Sequence, residues 1–224
     1  MVSIEFHCHT IASKDSLLSP EKLVDTCRRK GLNRVVITDH NTIAGALQAQ
    51  AYAPDFVIIG EEIMTTQGEL LAAFVSEEIP KGLAPQAAIE RLRAQGAFIS
   101  VSHPFDEMRN GHWQSDALTA ILPLVDAIET FNARCMSGDY NRKAQEYAER
   151  HGVPGTAGSD AHAAFELGRA RMHLPDFNDA ESLRAALAQV RFQVRLSSPF
   201  VHFTSRYAVW KKARDARLAK SGTS

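Results

Sequence analysis

The sequence contains little cysteine, no excess charge of either sign and no long apolar run. Its three cysteines, Cys8, Cys27 and Cys135, are odd in number and lack paired spacing, which argues against a disulfide framework and for a reducing compartment. The 25 basic and 26 acidic residues give a formal net charge of −1, so the overall charge indicates neither an extended nucleic-acid surface nor a membrane surface. Because no apolar run reaches the length of a bilayer span, the expected location is cytoplasmic.

No Gly/Ser-rich or Pro-rich linker divides the 224 residues, so we expect a single domain over 1–224. Near the end of the chain, basic residues alternate with Ala, Val and Trp210 at helical spacing. This pattern predicts a C-terminal helix over 206–220 that packs on one side and faces solvent on the other. Nucleic-acid binding by this helix is a second, less favoured interpretation, and the oligomeric state is left open.

Apolar runs of strand length alternate with helical segments along the chain. Strands are predicted at 2–6, 34–38, 56–60, 70–75, 97–101, 127–131, 154–157 and 170–174, and helices at 20–30, 85–95, 139–151 and 179–189. The first helix has clear end signals, with Ser19 as N-cap, Pro20 at the first helical position and Gly31 after its end. An order of strand, helix and strand predicts an α/β fold with a parallel sheet.

Histidines and carboxylates follow many of these apolar runs. His7 and His9 end the first one, and alternation along a strand directs both imidazoles to one face. Further donors after apolar segments are Asp15, His40, Glu62, His103, Glu129, Asp160 and His162. Imidazole and carboxylate donors favour Mn, Zn or Fe, with Mg as a further candidate, over a carbonyl-rich calcium site. The pattern therefore predicts a cluster of divalent ions.

The distribution of these donors distinguishes two α/β architectures. An open sheet would spread them along a line, whereas a parallel barrel directs the carboxyl ends of its strands to a common mouth. Convergence favours a barrel. Because the chain is shorter than the roughly 250 residues of an ordinary eight-fold barrel, we expect a smaller or distorted one.

An ordered set of motifs resembles the PHP (polymerase and histidinol phosphatase) family of metal-dependent phosphoesterases over most of the chain. The motifs are Phe6-His7-Cys8-His9-Thr10 followed by Asp15, Val36-Ile37-Thr38-Asp39-His40-Asn41, Ile59-Gly60-Glu61-Glu62-Ile63, Val101-Ser102-His103-Pro104, Ile128-Glu129-Thr130-Phe131-Asn132-Ala133-Arg134 and Gly158-Ser159-Asp160-Ala161-His162. The resemblance implies a distorted (β/α)7 barrel whose mouth holds two or three divalent ions. It also implies removal of phosphate from small molecules or nucleotides.

The resemblance further implies a ligand set. It assigns one metal to His7, His9, Glu62 and Asp160, a second to Glu62 and His103, and a third to Asp15, His40 and His162. The sequence departs from the family at Glu69, where many members have a histidine that binds the second metal. A carboxylate here is either a substitute ligand or a side chain directed to solvent, which would leave the second site altered.

These features lead to the hypothesis that the chain hydrolyses phosphate monoesters of a small molecule or a nucleotide with metal-activated water. Asp15 and His40 are expected to act at the departing group, and Arg134 is the first candidate for a phosphate clamp, ahead of Arg109 and Lys14. Glu129 and Asp39 are expected to orient ligand histidines.

Three alternatives remain. A metal-dependent exonuclease would need a basic track, which the near-neutral charge disfavours. A catalytically silent metal-binding barrel is kept open by Glu69. An amidohydrolase also begins with His-x-His, but no lysine of this chain occupies the metal-bridging position of that class.

Overall fold

The predicted apolar runs form the strands of one sheet in the computed structural model, which describes residues 1–221. The strands are β1 Val2–Glu5, β2 Arg34–Ile37, β3 Val57–Met64, β4 Glu69–Ala73, β5 Phe98–Val101, β6 Ala127–Asn132, β7 Gly155–Gly158, β8 Ala170–Leu174 and β9 Arg191–Val194. All eight predicted strands are found, and the exposed β9 is additional. Strand β3 extends past Gly60, so Glu62 lies within the strand and not after it.

Seven helices surround the sheet within the described residues. They are α1 Pro20–Arg29, α2 Ala44–Tyr52, α3 Pro85–Ala94, α4 Ser115–Ile121, α5 Gly138–His151, α6 Ala180–Ala186 and α7 Val201–Ser221. Helices α2 and α4 were not predicted, because neither has a capping side chain at its start. None of the helices in residues 1–221 combines the length and the apolar character needed to cross a bilayer.

The expectation of a parallel sheet is wrong at two strands. In the strand order β7-β6-β5-β4-β3-β2-β1-β8-β9, strand β4 is antiparallel to β3 and β5, and β8 is antiparallel to β1 and β9. Only residues 65–68 connect β3 to β4, which is a hairpin connection too short for the crossover that a parallel pair requires. As a result, the beginning of β4, and not its end, lies beside the end of β3.

The sheet curls into a nearly closed barrel. The residues that follow β1 and β7 meet in a parallel bridge between Cys8 and Ala161, where the His9 amide donates to the Ala161 carbonyl at 2.8 Å. Gly158 permits this approach, because a Cβ atom added there would lie 2.2 Å from the Cβ of His7. The α/β barrel expected from the sequence is therefore confirmed, with β8 lying beside β1 at the other end.

The inside of the barrel is a packed core. Phe6, directly after β1, and Phe98 of β5 are fully buried and make an edge-to-face contact with ring centroids 5.6 Å apart. Three strands separate β1 from β5 in the sheet order, so this contact crosses the barrel. Rings from opposite strands thus fill the space below the mouth, as in other α/β barrels.

A partly buried carboxylate outside the barrel connects two helices to the sheet. Asp126, just before β6, binds Arg93 of α3 at 2.7 and 2.8 Å, Arg184 of α6 at 2.9 Å and the Ile99 amide of β5 at 2.8 Å. Burial alone would raise the pKa of Asp126, but hydrogen bonds from Arg93 and Arg184 hold it below its ordinary value. Asp126 is therefore ionised in the folded protein and stabilises it.

We expect Asp126→Asn to lower the free energy of unfolding by about 1–3 kcal/mol at pH 7, since it weakens charge-assisted hydrogen bonds. A carboxylate with a lowered folded-state pKa stabilises the fold above its unfolded pKa of about 3.9, and this contribution is lost as the pH falls through the folded-state value. Urea denaturation at pH 7 and pH 3.5 measures both effects. The exposed Asp55→Asn is the control, and an equal loss in both variants would contradict the assignment.

Candidate metal centre

All nine predicted ligand residues lie at one end of the barrel, which we call the mouth. They are His7 and His9 after β1, Asp15 in the loop before α1, His40 after β2, Glu62 in β3, Glu69 at the start of β4, His103 after β5, and Asp160 and His162 after β7. Glu69 reaches the mouth because β4 runs in the opposite direction to its neighbours. The fold therefore brings together donors from six strand ends.

The innermost donors come from strands β1, β3 and β7. The Nε2 atoms of His7 and His9 lie 3.1 Å apart. The Nε2 atom of His7 is 3.3 Å from Oε2 of Glu62, and that of His9 is 3.1 Å from Oδ1 of Asp160. All four side chains are fully buried, so this part of the centre is closed to bulk solvent.

Glu62 connects the innermost donors to a second group. Its Oε1 atom lies 3.2 Å from Nε2 of His103, and that nitrogen is 3.4 Å from Oε2 of Glu69. The carboxylate of Glu69 is thus directed into the centre and occupies the position where a histidine was anticipated from the family. Burial and the neighbouring charge of Glu62 raise the pKa of Glu69.

The third group is the most accessible. His162 Nε2 lies 3.2 Å from Oδ2 of Asp15, and His40 Nε2 lies 3.6 Å from Oδ1 of the same carboxylate. The side chains of His40 and Asp15 are 19% and 20% exposed, in contrast to the closed inner group. A ligand entering from solvent therefore meets Asp15 and His40 first.

Two histidines are oriented through their Nδ1 atoms, which leaves Nε2 directed to the centre. The Nδ1 atom of His7 lies 2.8 Å from Oε1 of Glu129, in the role expected of this carboxylate. The Nδ1 atom of His9 lies 3.3 Å from Oγ of Ser13, whose hydroxyl donates to Asp39 at 2.6 Å. Asp39 thus supports His9 through Ser13 and not His40, its neighbour in sequence. Such contacts are typical of metal-binding histidines.

The backbone at the mouth is strained. Asn41, His103 and Asp160 have φ values of 54°, 20° and 53°, in a region that residues other than glycine rarely occupy. His103 and Asp160 are two of the predicted ligands, and Asn41 directly follows a third. Strain of this kind is maintained where the surrounding structure requires one side-chain direction, as it does in functional sites.

Electrostatics keeps the carboxylates of the metal-free centre ionised, but against the effect of burial the charge of Glu62 raises the pKa of His7 and His40 well above the ordinary value, so these two imidazoles lose a proton when a metal binds. Burial alone would raise the pKa of Glu62, but the positive charges of His7 and His40 hold it well below its usual range. Burial likewise acts to raise the pKa of Asp160, and Arg109 and His7 hold it down. Burial, together with nearby His162 and His40, holds the pKa of His9 well below its ordinary value. The two carboxylates are therefore ionised and His9 is neutral.

Several lone pairs at the mouth have no hydrogen-bond donor. Within the part of the chain that the structure describes, Asp15 Oδ1, Glu62 Oε2, Asp160 Oδ1 and His162 Nε2 are buried and lack a hydrogen-bond partner. Buried polar atoms are almost always satisfied, so four such atoms facing one centre indicate cations. Three sets of three residues have ligand atoms within 4.8 Å of one another. These sets, which overlap the groups described above, are His9/His40/His162, His7/His9/Glu62 and His40/Glu62/Glu69. The donor set fits divalent ions such as Mn, Zn or Fe.

Arg134 is buried and fully engaged. Its Nη1 atom lies 2.6 Å from Nδ1 of His162, its Nη2 atom donates to the Val201 carbonyl and the Ser205 hydroxyl at 2.8 and 2.9 Å, and its Nε atom is 3.2 Å from Glu166. With a side chain that is 4% exposed, Arg134 presents little of its guanidinium to a phosphate in the cleft, which is the role that the sequence suggested. Its present contacts connect His162 to α7.

Arg109 is the more accessible arginine. Its side chain is 21% exposed, compared with 4% for Arg134, and its guanidinium reaches Oδ2 of Asp160 at 2.6 Å and Asp106 at 3.1 Å. It borders a cleft of about 1450 Å³ above the centre. Basic residues Lys14, Lys81, Arg109, Arg134 and Arg206 line this cleft together with Asp15 and His40.

Sequence reasoning missed several supporting residues. Ser102 donates to Oε1 of Glu62 at 2.8 Å, and Asn132 donates to Glu129 and Asp160 at 3.1 and 3.2 Å. Glu5 accepts from the Ser159 and Gly168 amides at 2.9 and 2.8 Å. Ser102 adjoins His103 and Asn132 stands in the Asn132-Ala133-Arg134 motif, so their positions carried a signal. The function of Glu5 becomes visible only in the fold.

Comparison with family models accounts for this combination of fold and donors. The PHP domain model matches residues 5–121, more than half of the chain, and a PHP-associated model matches residues 138–191. The chain belongs to the PHP family. The resemblance identified from the motifs is thereby confirmed, and the nine donors of the mouth lie within the two matched segments.

Individual relatives of this PHP protein differ in what is known of them. An uncharacterised protein of Methanocaldococcus jannaschii, MJ0417, is 37% identical over 180 residues, covering 79% of this chain and 72% of that protein. A 5'-3' exoribonuclease of Haemophilus influenzae is 41% identical over 64 residues, which cover 27% of this chain and 23% of the enzyme. A solved structure from Bifidobacterium adolescentis, a candidate metal-dependent phosphoesterase, has a TM-score of 0.62 at 18% identity and covers 83% of this chain and 96% of that one. This likeness supports the barrel fold.

Metal binding at the mouth should stabilise the protein, because the converging donors exist only in the folded state. Adding Mn²⁺ to chelated protein at 100 times its dissociation constant should raise the free energy of unfolding by about 2.7 kcal/mol. Glu62→Gln retains the side-chain volume but removes the charge shared by the groups. We expect it to reduce both this rise and the metal content per chain.

Glu61→Gln is the matched control, since Glu61 is also buried in β3 but binds the Ile79 amide away from the centre. Thermal unfolding and elemental analysis measure the two effects. Equal metal content in wild type and Glu62→Gln would contradict the assignment of Glu62.

Proposed function

We propose that this PHP protein is a metal-dependent phosphoesterase that hydrolyses phosphate monoesters of a small molecule or a nucleotide. The family and its relatives support a metal-dependent hydrolase. The observation that carries the finer proposal is the convergence of nine nitrogen and oxygen donors, four of which line a cleft that five basic side chains also line. These four donors are Asp15, His40, Glu69 and His162. Cationic side chains above a metal centre favour a phosphorylated substrate.

The residues of the centre take different parts in this proposal. His7, His9, Glu62, Asp160, His103, Glu69, Asp15, His40 and His162 would hold two or three divalent ions, with Mn, Zn or Fe preferred. When bound, such ions supply Lewis acidity toward phosphoryl oxygens and lower the pKa of a bound water from about 16 to about 7. The buried inner residues exclude bulk solvent, whereas Asp15 and His40 lie where the substrate enters.

The two arginines divide two functions in this proposal. Arg109 borders the cleft and its side chain is partly exposed. It is therefore the residue placed to bind a phosphoryl oxygen. Arg134 acts as a positioning residue that packs against His162 at Nδ1, and donation from this Nδ1–H to the Asp160 carbonyl at 2.8 Å is what leaves Nε2 available to a metal. We therefore transfer the phosphate-binding role expected for Arg134 to Arg109.

Removal of Asp15 or His40 tests the proposed activity. We expect Asp15→Asn and His40→Ala to reduce turnover by about 100-fold or more, because electrostatic groups at the reacting centre have effects of that size. A cooperative unfolding transition in each variant is the check that the fold survives. Phosphate release is measured with mononucleotides, histidinol phosphate and short oligonucleotides after reloading chelated protein with Mn, Zn, Fe or Mg. Full activity in either variant would exclude that residue from catalysis.

Arg109→Gln and Arg134→Lys separate binding from positioning. Arg109→Gln should raise KM about tenfold, equivalent to 1.4 kcal/mol of lost binding. Arg134→Lys should leave KM near the wild-type value while reducing the metal content, since His162 loses a fixed partner. The exposed Arg150→Lys of α5 is the control. A raised KM in Arg134→Lys alone would return the clamp to Arg134.

A 5'-3' exonuclease is a second candidate function. The Haemophilus influenzae relative is described as a 5'-3' exoribonuclease, but it matches only 27% of this chain. Stepwise cleavage of terminal phosphodiester bonds, with release of mononucleotides from the ends of oligonucleotides, would favour this candidate. Phosphate release from mononucleotides alone would favour the monoesterase.

A further inference from the structure

Helix α7 has one face attached to the barrel. Val201 and Ala208 are buried, and Lys212 donates to the Ile11 and Ser13 carbonyls at 2.5 and 2.6 Å. Ser205 accepts from Arg134 on the same side. At 100° per residue these positions lie within about 60° of one another, which defines the attached face.

The opposite face carries exposed aromatic side chains. Phe203, Tyr207 and Trp210 follow each other at spacings of four and three residues and are 63%, 55% and 53% exposed. The rings of Tyr207 and Trp210 have centroids 5.7 Å apart. Three large aromatic residues in one exposed row are unusual on a solvated helix and point to a ligand.

Arginines lie on this same face. Arg206, Arg214 and Arg217 project within about 60° of the aromatic row, and the Arg214 guanidinium lies over the Trp210 ring at 5.0 Å. Between residues 201 and 219 there are five Lys or Arg residues and a single acid, Asp215. We call Phe203, Tyr207, Trp210, Arg206, Arg214 and Arg217 the aromatic–arginine face.

This face begins inside the cleft. Phe203 and Arg206 line the cleft, next to Phe200, whose ring stacks on that of Phe203 with centroids 6.1 Å apart. From Phe203 to Arg217 the helix rises about 21 Å. The face therefore forms a track that leads away from the metal centre over the length of several nucleotides.

We propose that the aromatic–arginine face binds single-stranded nucleic acid and directs its terminal phosphate into the cleft. Bases stack on exposed rings without sequence preference, and arginines bind the backbone, which is the combination found in proteins that bind single strands. The part of the proposal that concerns the terminal phosphate rests on the proposed function, whereas strand binding itself does not. The positive charge that strand binding requires is concentrated on α7, although the whole chain has no excess of basic residues.

Two other occupants fit the face less well. Helices that bind membranes separate aromatic and charged residues onto opposite faces, and here they are mixed. A second copy related by a two-fold axis would place the arginine-bearing face of one copy against that of the other. Like charges facing each other at an interface are unfavourable.

Binding is measured with full-length, chelated protein, so that no hydrolysis occurs. The probes are 5'-phosphorylated, fluorescently labelled oligo(dT) and oligo(U) of ten nucleotides, followed by anisotropy at several salt concentrations. Trp210→Ala and Tyr207→Ala each remove one ring on which a base stacks. Each should weaken binding by about 5- to 150-fold, the equivalent of 1–3 kcal/mol. Arg214→Gln should lower the salt dependence by about 0.7 in log–log slope.

Tyr52→Ala and Arg142→Gln, exposed residues on α2 and α5, are the matched controls and should bind like wild type. Absence of oligonucleotide binding, or equal binding in Trp210→Ala, would overturn the inference. Self-association that protects Trp210, or binding only to phosphatidylserine vesicles, would overturn it as well.

Hydrolysis of a small ester without strand binding would leave the proposed function in place. Strand binding without any hydrolysis would support the binding face and contradict the proposed function.

Discussion

The buried carboxylate of Glu62 is the constraint on which the mouth of the barrel depends. An ionised carboxylate removed from water is strongly destabilising unless positive partners surround it. Four imidazoles lie around it, with His7, His9, His40 and His103 at 3.0 to 3.5 Å from its oxygens, and the charges of His7 and His40 hold it ionised. These imidazoles come from three strand ends, so satisfying one carboxylate fixes the relative positions of β1, β2, β3 and β5.

The reversed strand β4 extends this arrangement. A purely parallel barrel would direct the end of each strand to the mouth, and Glu69 would then have to stand at the end of its strand. The short hairpin after Met64 turns β4 over, so that its first residue faces the centre, 3.4 Å from His103. A second carboxylate beside Glu62 raises the negative charge that cations must balance. The exchange of histidine for glutamate is thus accommodated within the existing fold, and its raised pKa reflects that crowding.

Eight of the strands, five of the helices and the convergence of the donors were predictable because they depend on local signals. Alternation places His7 and His9 on one side of β1, and apolar runs mark the strands. The occupied guanidinium of Arg134 was not predictable, since its partners Val201 and Ser205 lie more than 60 residues away. Strand direction was missed for a similar reason, because it is decided by the length of the connection between β3 and β4 and not by the strands themselves.

Helix α7 connects the most exposed metal-site residues to the remainder of the chain. Lys212 holds the loop that carries Asp15, and Arg134 connects Ser205 to His162. The attached face of the helix therefore contacts both the loop that carries Asp15 and the arginine beside His162. These two residues belong to the third group, which is the most accessible group of donors. A helix needed only for this purpose would be expected to carry polar residues on its solvent side. Phe203, Tyr207 and Trp210 instead leave more than half of their surface exposed, and this is the physical reason to assign that face to a partner outside the chain.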